Sequence, residues 1–284
     1  MKSMNLLGTR LFLFTLLLLM GMGQAFAAQP AFKRVIWVVL ENTDYDEALA
    51  QPFFKKLTEQ GILFSNMHAE THPSQPNYIA MIAGSTLGVR GDGNVDLDGS
   101  HLGDLLEQKG LTWKAYAEDY PGGCFLGKTS ERYARKHVPF LSFTNVQKNP
   151  ARCANIVNAK DFERDFSNGT LANFSMYIPN LDNDGHDTSP AYSNKWLQKT
   201  FGAKLSDASF MKDTLFVVTY DESESYLSDN QIFTVAVGAN AVPGSKYSLK
   251  ANHYSLLKTV EDVFGLGSLN RNDAAAQVPA GVWR

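Results

Sequence analysis

RVIWVVL, residues 34–40, is apolar and β-branched almost without a break, and Glu41-Asn42 follows it at once. A strand that is greasy on both faces belongs inside a sheet covered on both sides, which is the habit of parallel sheets. The polar pair then stands at the carboxyl end of that strand, where open α/β sheets bind their ligands. Outward from this strand the chain alternates in kind. Helical spacing over 52–60 stops at Gly61, a strand is expected over 62–66, and a helix over 75–83 ends at Gly84. A helix over 101–109 and a strand over 111–117 come next, and the pattern weakens from 118 to 161. Strands over 174–178, 214–220 and 232–237 follow, with helices between 191 and 205 and over 254–264. The alternation predicts a three-layer α/β/α domain with a mostly parallel central sheet.

The first residues have the pattern of a secretory signal. Lys2 and Arg10 precede and enter an apolar run from Leu11 to Met20, and Ala25-Phe26-Ala27 supplies small residues for cleavage. Residues 1–27 are therefore expected to be removed, leaving 28–284 as one catalytic domain that is secreted or periplasmic. The run is short of the roughly 20 residues that span a bilayer, so no stable membrane insertion is expected after cleavage. Loss of the segment takes the formal charge from −3 to −5, because it carries two cations and no acid. That balance argues against broad binding of nucleic acid. It leaves room for a small phosphate ester, since a bound cation can set the local sign. Cys124 and Cys153 are the only cysteines, and in an oxidising compartment the simplest expectation is one disulfide between them.

Four polar clusters sit where strands end: Glu41-Asn42, 71–77, 182–187 and Asp221-Glu222. In THPSQPNYIAMIAGST (71–86), Ser74 precedes Gln75-Pro76, a natural start for a helix. Serine there is either a cap for the helix or a nucleophile facing free N–H groups suited to a phosphoryl group. In Asp182-Asn183-Asp184-Gly185-His186, Asp182 and His186 can share one cation, or the segment is an ordinary turn. His253 lies at the mouth of the last helix, as a ligand or a neighbour of its cap. His68 and His101 read as structural. Glu41, Asp182, Asp221 and Glu222 around one pocket would repel a phosphate dianion unless one or two divalent cations reversed the field. Such a cation would also activate Ser74.

The motifs ENTDYDE (41–47), THPSQPNY (71–78), NLDNDGHD (180–187), TYDESE (219–224) and NHYSLLKTVED (252–262), in this order, resemble the bacterial and fungal phosphoesterase family. That family holds acid phosphatases and phosphocholine-preferring phospholipases C on an alkaline-phosphatase-like fold. The resemblance implies Glu41, Asn42, Asp221 and Glu222 as metal ligands and Ser74 as the metal-bound nucleophile. The wider superfamily's Asp-x-x-x-His pair and late histidine look like Asp182, His186 and His253. Asp221-Glu222 replaces the Asp-His of two-metal enzymes, so one metal (Zn, Ca, Mg or Mn) with His186 and His253 on the phosphate is an alternative. As imidazolium below about pH 6.5 these histidines would favour an acidic optimum. YARKHVPFLSF (133–143) also resembles the acid phosphatase branch, with Lys136 and His137 over the phosphate, and Asn42 and His72 complete the substrate contacts. The function expected is an acid phosphatase acting through a phosphoseryl intermediate. Its rivals are a phosphodiesterase or phospholipase C on the same scaffold, and an exported binding protein without turnover.

Overall fold

The computed structural model describes residues 32–226 and 229–283; the expected secretory segment lies outside the described residues. Among the described residues, eight strands form the central sheet: β1 (Arg34–Leu40), β2 (Ile62–Phe64), β3 (Trp113–Ala117), β4 (Ile156–Asn158), β5 (Phe174–Ile178), β6 (Thr214–Tyr220), β7 (Thr234–Val237) and β8 (Ser245–Tyr247). Their spatial order is β8-β2-β7-β6-β1-β5-β3-β4. β1 pairs in parallel with β5 on one side and β6 on the other, and only β7 runs against its neighbours. Parallel strands need long crossovers, and α1 (Pro52–Gln60), α2 (Ser74–Ala83), α3 (Leu102–Gln108), α4 (Lys160–Ser167), α5 (Pro190–Leu205) and α6 (His253–Phe264) supply the helical layers.

β1 is buried from Val35 onward and β6 throughout, as unbroken apolar runs require. One contiguous apolar core surrounds them, with Trp37 edge-on to Phe174 at 5.3 Å. The mostly parallel α/β/α architecture expected from the alternation is therefore present. The expected strands over 62–66, 111–117 and 232–237 are each shorter than their apolar runs. β4 and β8 were not anticipated; both are three-residue strands at the sheet's edges, too brief for a periodic signature. α2 is buried along its whole length, so its polar residues Ser74, Gln75 and Asn77 all face protein rather than solvent.

The 118–161 excursion is tied by the Cys124–Cys153 disulfide, whose Cα atoms are 5.6 Å apart. It packs against α3, which is capped by His101. His101 Nδ1 accepts from Gly103 N at 3.0 Å, and Asp104 Oδ2 accepts from His101 N at 2.8 Å, a capping box. A backbone N–H can only donate, so Nδ1 must be bare and Nε2 carries the proton toward Asn145 Oδ1 at 3.2 Å. The ring is fully buried among Trp113, Phe140 and Phe143. Burial lowers its pKa from 6.5 to about 4, only partly offset by Asp104.

Between those values the unfolded chain binds a proton that the folded state refuses. Stability should fall as pH drops from 6.5 toward 4, by up to about 3 kcal/mol from this one group. His101→Asn keeps a capping acceptor but cannot titrate, so its urea-unfolding free energy should vary less with pH over that range. An equally steep profile in the variant would remove this account. Reducing the disulfide, which closes a sequence separation of 29, should lower unfolding free energy by about 3 kcal/mol, read as a lower urea midpoint.

Candidate active site

Three strand ends are laced together by backbone hydrogen bonds. Asp221 N, just past β6, donates to Leu40 O at the end of β1 at 3.0 Å. Glu41 N donates to Asp184 O, in the loop after β5, at 3.1 Å. Asn42 then turns the chain at φ 33°, a left-handed conformation that asparagine tolerates better than most residues. Its N–H donates to Asp221 Oδ1 at 3.3 Å, and Asp221 Oδ1 also accepts from Glu222 N at 2.7 Å. These bonds place Glu41, Asp184, Asp221 and Glu222 around one buried space, each with 0–1% of its surface exposed.

Ser74 enters that space from the first turn of α2. Pro73, not Ser74, holds the capping position, and the hydroxyl makes no cap bond. It instead faces Glu41 Oε2 at 3.0 Å and Glu222 Oε1 at 3.1 Å. Asn77 fixes the preceding turn, its Oδ1 accepting from Glu70 N and Thr71 N and its Nδ2 donating to Thr71 O at 2.7 Å. Lys136 Nζ stands 3.5 Å from Ser74 Oγ and 2.9 Å from Asp92 Oδ2. Asp92 Oδ1 in turn accepts from Gln75 N at 3.0 Å. His72 bonds Glu222 through Nδ1 and stacks beneath Tyr226, ring centroids 4.1 Å apart.

The electrostatics divide the carboxylates. Burial pushes Glu41 up, but His137, Lys136 and Tyr78 outweigh it and hold its pKa down at about 2. His137 Nε2 is 3.2 Å from Glu41 Oε2, an ion-pair distance without hydrogen-bond alignment, and its ring stacks on Tyr78 at 5.0 Å. Glu222 is pushed up to about 8, first by burial and then by Glu41. Burial and the charge on Glu41 also raise Asp184 and Asp221 well above the usual carboxylate range. His253 is fully buried, and its Nε2 donates to Asp221 O at 2.7 Å, leaving Nδ1 bare and without a partner. Burial lowers its pKa to about 4, so it is neutral where the alternative of a phosphate contact needs an imidazolium.

The expected residues Glu41, Asn42, Ser74, Asp221, Glu222, His72, Lys136 and His137 thus come together, with His253 behind them. Asp182 does not join them: Arg132 holds it at 2.6 Å and also grips Asp187 at 2.9 Å. His186 lies at the rim with Nδ1 2.7 Å from Asp187, its ring 6.3 Å from that of His137. Asp184, two residues after Asp182 in the same motif, is the buried acid. Its signal was the following Gly185, at φ 105°, which turns the chain so that Asp184 O reaches Glu41 N. Asp92 had no signal, since RGDGN (90–94) reads as a solvated turn.

Among the described residues, no three His, Cys, Asp or Glu side chains converge closely enough, as they stand, to hold an ion. The donor set nevertheless fits a divalent cation. Glu41 Oε1, Asp184 Oδ2 and Asp221 Oδ2 are buried without partners. The Asn42 side-chain amide sits beside them, its nitrogen donating to Asp221 Oδ1 at 3.1 Å and to Glu41 Oε2 at 3.3 Å. Buried acceptors crowded without donors are costly, and a cation relieves all of them together.

Solved structures share this architecture. A protein of the alkaline phosphatase superfamily from Vibrio parahaemolyticus superposes with a TM-score of 0.60 at 14% identity, over 86% of this chain and 70% of its own. The fold is alkaline-phosphatase-like. The chain belongs to the phosphoesterase family, whose pattern it matches over residues 43–267. It is 38% identical to a probable acid phosphatase of Kluyveromyces lactis over 87% of this chain, and spans 62% of that relative's length. It is 36% identical to a phosphatidylinositol-3-phosphatase of Mycobacterium tuberculosis over 86% of this chain and 81% of the relative.

With chelator present, the site's own repulsion should show in folding. A raised carboxyl pKa means the folded state keeps a proton that the unfolded chain gives up, so stability falls as pH rises above the ordinary value. Asp221→Asn keeps the shape and removes one charge, and should raise the unfolding free energy at pH 7 by about 1–3 kcal/mol. A clear loss of stability in chelator would show that Asp221 is supported by donors other than a cation.

Proposed function

We propose that this chain is an exported, metal-dependent acid phosphatase that cleaves phosphomonoesters with Ser74 as nucleophile. The observation that carries the reading is the Ser74 hydroxyl, buried at the start of α2 and directed at Glu41 and Glu222 instead of capping its helix. A serine with no structural duty, in a buried ring of acids beside a lysine, is arranged for chemistry. The likeness to a probable acid phosphatase and to a phosphatidylinositol-3-phosphatase supports the monoester class. The amino-terminal pattern of 1–27 supports export.

Glu41, Asn42, Asp221 and Glu222 would hold the cation, with Asp184 beside them. These oxygen donors suit Mg, Ca or Mn better than a soft metal, and the bare Nδ1 of His253 leaves zinc open. The cation, when bound, lowers the pKa of the Ser74 hydroxyl and offsets phosphoryl charge. The Ser74 hydroxyl gives its proton to Glu222, to which it is bonded at 3.1 Å, as its oxygen attacks phosphorus; the ester oxygen leaves with a proton from water, and a seryl phosphate remains. His72 bonds Glu222 through Nδ1, and burial lowers its pKa, so it would hold Glu222 in position as a neutral ring. Lys136 holds charge on the phosphoryl oxygens, and water then releases phosphate and restores Ser74.

Ser74→Ala should cut kcat/KM on 4-nitrophenyl phosphate by at least about a thousandfold and leave the urea midpoint unchanged. Chelator should abolish turnover and divalent cation restore it, with the maximum below pH 6.5. Turnover retained in Ser74→Ala, or an optimum near pH 9, would overturn the reading. Preference for bis(4-nitrophenyl) phosphate would move the chain to the phosphodiesterase and phospholipase C branch. No turnover with any metal would leave a binding protein.

A further inference from the structure

The Asp92 carboxylate bridges two donors that flank the nucleophile. Oδ1 accepts from the backbone N–H of Gln75, the residue after Ser74, at 3.0 Å. Oδ2 pairs at 2.9 Å with Lys136 Nζ, itself 3.5 Å from Ser74 Oγ. A phosphoryl group on Ser74 has use for both: an N–H that the helix itself does not use, and an ammonium beside Oγ. Asp92 stands outside the buried ring of acids. Its side chain stays 31% exposed, on a loop with Gly91 and Gly93 on either side, where added Cβ atoms would meet nothing. The two glycines leave open space on either side of the carboxylate into which the loop can shift.

Resting on the Ser74 reading, we propose that Asp92 is a specificity-setting anion, an internal carboxylate that occupies the donors of the phosphate site and that substrate must displace. Competition by a fixed negative charge has a definite consequence. At an effective dielectric near 20, one unit charge about 5 Å away is a strong repulsion, and it acts twice on a dianion for once on a monoanion. Asp92 therefore weakens phosphate binding overall and penalises a monoester dianion more than a diester. It keeps the site from being blocked by its own product, inorganic phosphate, at some cost in discrimination for monoesters.

Asp92→Asn removes the charge and keeps the shape. Inorganic phosphate, titrated calorimetrically at pH 7 into the metal-loaded protein, should bind roughly tenfold tighter, and its inhibition constant should fall in parallel. The kcat/KM ratio of 4-nitrophenyl phosphate to bis(4-nitrophenyl) phosphate should rise several-fold. Asp92→Glu, which keeps the charge, should show neither effect, and Asp92→Ser should repeat both if the asparagine variant folds poorly. Unchanged or weaker phosphate binding in the neutral variants, with kcat reduced at constant KM, would overturn the proposal and make Asp92 a clamp for Lys136. Absence of phosphate binding in every variant and in the wild type would overturn it as well. Turnover surviving in Ser74→Ala is a separate result and removes the Ser74 reading itself.

Discussion

Everything at the carboxyl edge of the sheet answers to one constraint: four acidic side chains are buried within reach of one another. Chains avoid such burial unless charges are paired. Here the backbone enforces it, because β1 and β6 are adjacent parallel strands whose ends are joined by the bond from Asp221 N to Leu40 O, and the loop after β5 is joined to β1 by the bond from Glu41 N to Asp184 O. The acids cannot separate without opening the sheet. Their mutual repulsion is thus sustained by the apolar burial of β1 and β6, and the site borrows its stability from the core.

The same geometry makes the acids unequal. Glu41 has His137, Lys136 and Tyr78 around it and stays low, while Asp184, Asp221 and Glu222 see Glu41 as their neighbour and are forced up. One anion is thereby fixed as the charge centre, and the others are held toward their neutral forms. Ser74 sits between the two extremes, bonded to Glu41 and to Glu222. Its environment differs on its two sides because His137 and Tyr78 stand behind Glu41, while His72 bonds Glu222.

How far the sequence could be read depends on what each feature costs. β1, β5 and β6 were legible because a strand buried on both faces must be apolar throughout. The antiparallel direction of β7 was not, since burial on both faces demands the same residues whichever way a strand runs. Strand-end acids were legible at Glu41 and Asp221-Glu222, where the preceding run fixes the register. They were ambiguous in 182–187, where no strand abuts the motif and Asp182 and Asp184 share a parity. The choice between them was made by Arg132, some fifty residues away, and by a backbone bond to Glu41, neither of which leaves a local trace.

His253 shows why residue type alone misleads. Its match to a superfamily histidine gave it two alternative roles, a metal ligand or, with one metal, a charged contact to phosphate. Complete burial and a bond to the Asp221 carbonyl give it the character of the first and not of the second, a neutral ring with one nitrogen bare. A histidine that donates one N–H to a backbone carbonyl has its tautomer fixed and its other nitrogen made more basic, which is how proteins prepare imidazole to meet a metal. It is unsuited to carrying positive charge to a phosphate. With His253 held neutral, Lys136 is the cation standing 3.5 Å from Ser74 Oγ, and Asp92 is its partner. The balance between that lysine and that aspartate therefore sets how strongly the pocket attracts an anion before any cation is bound.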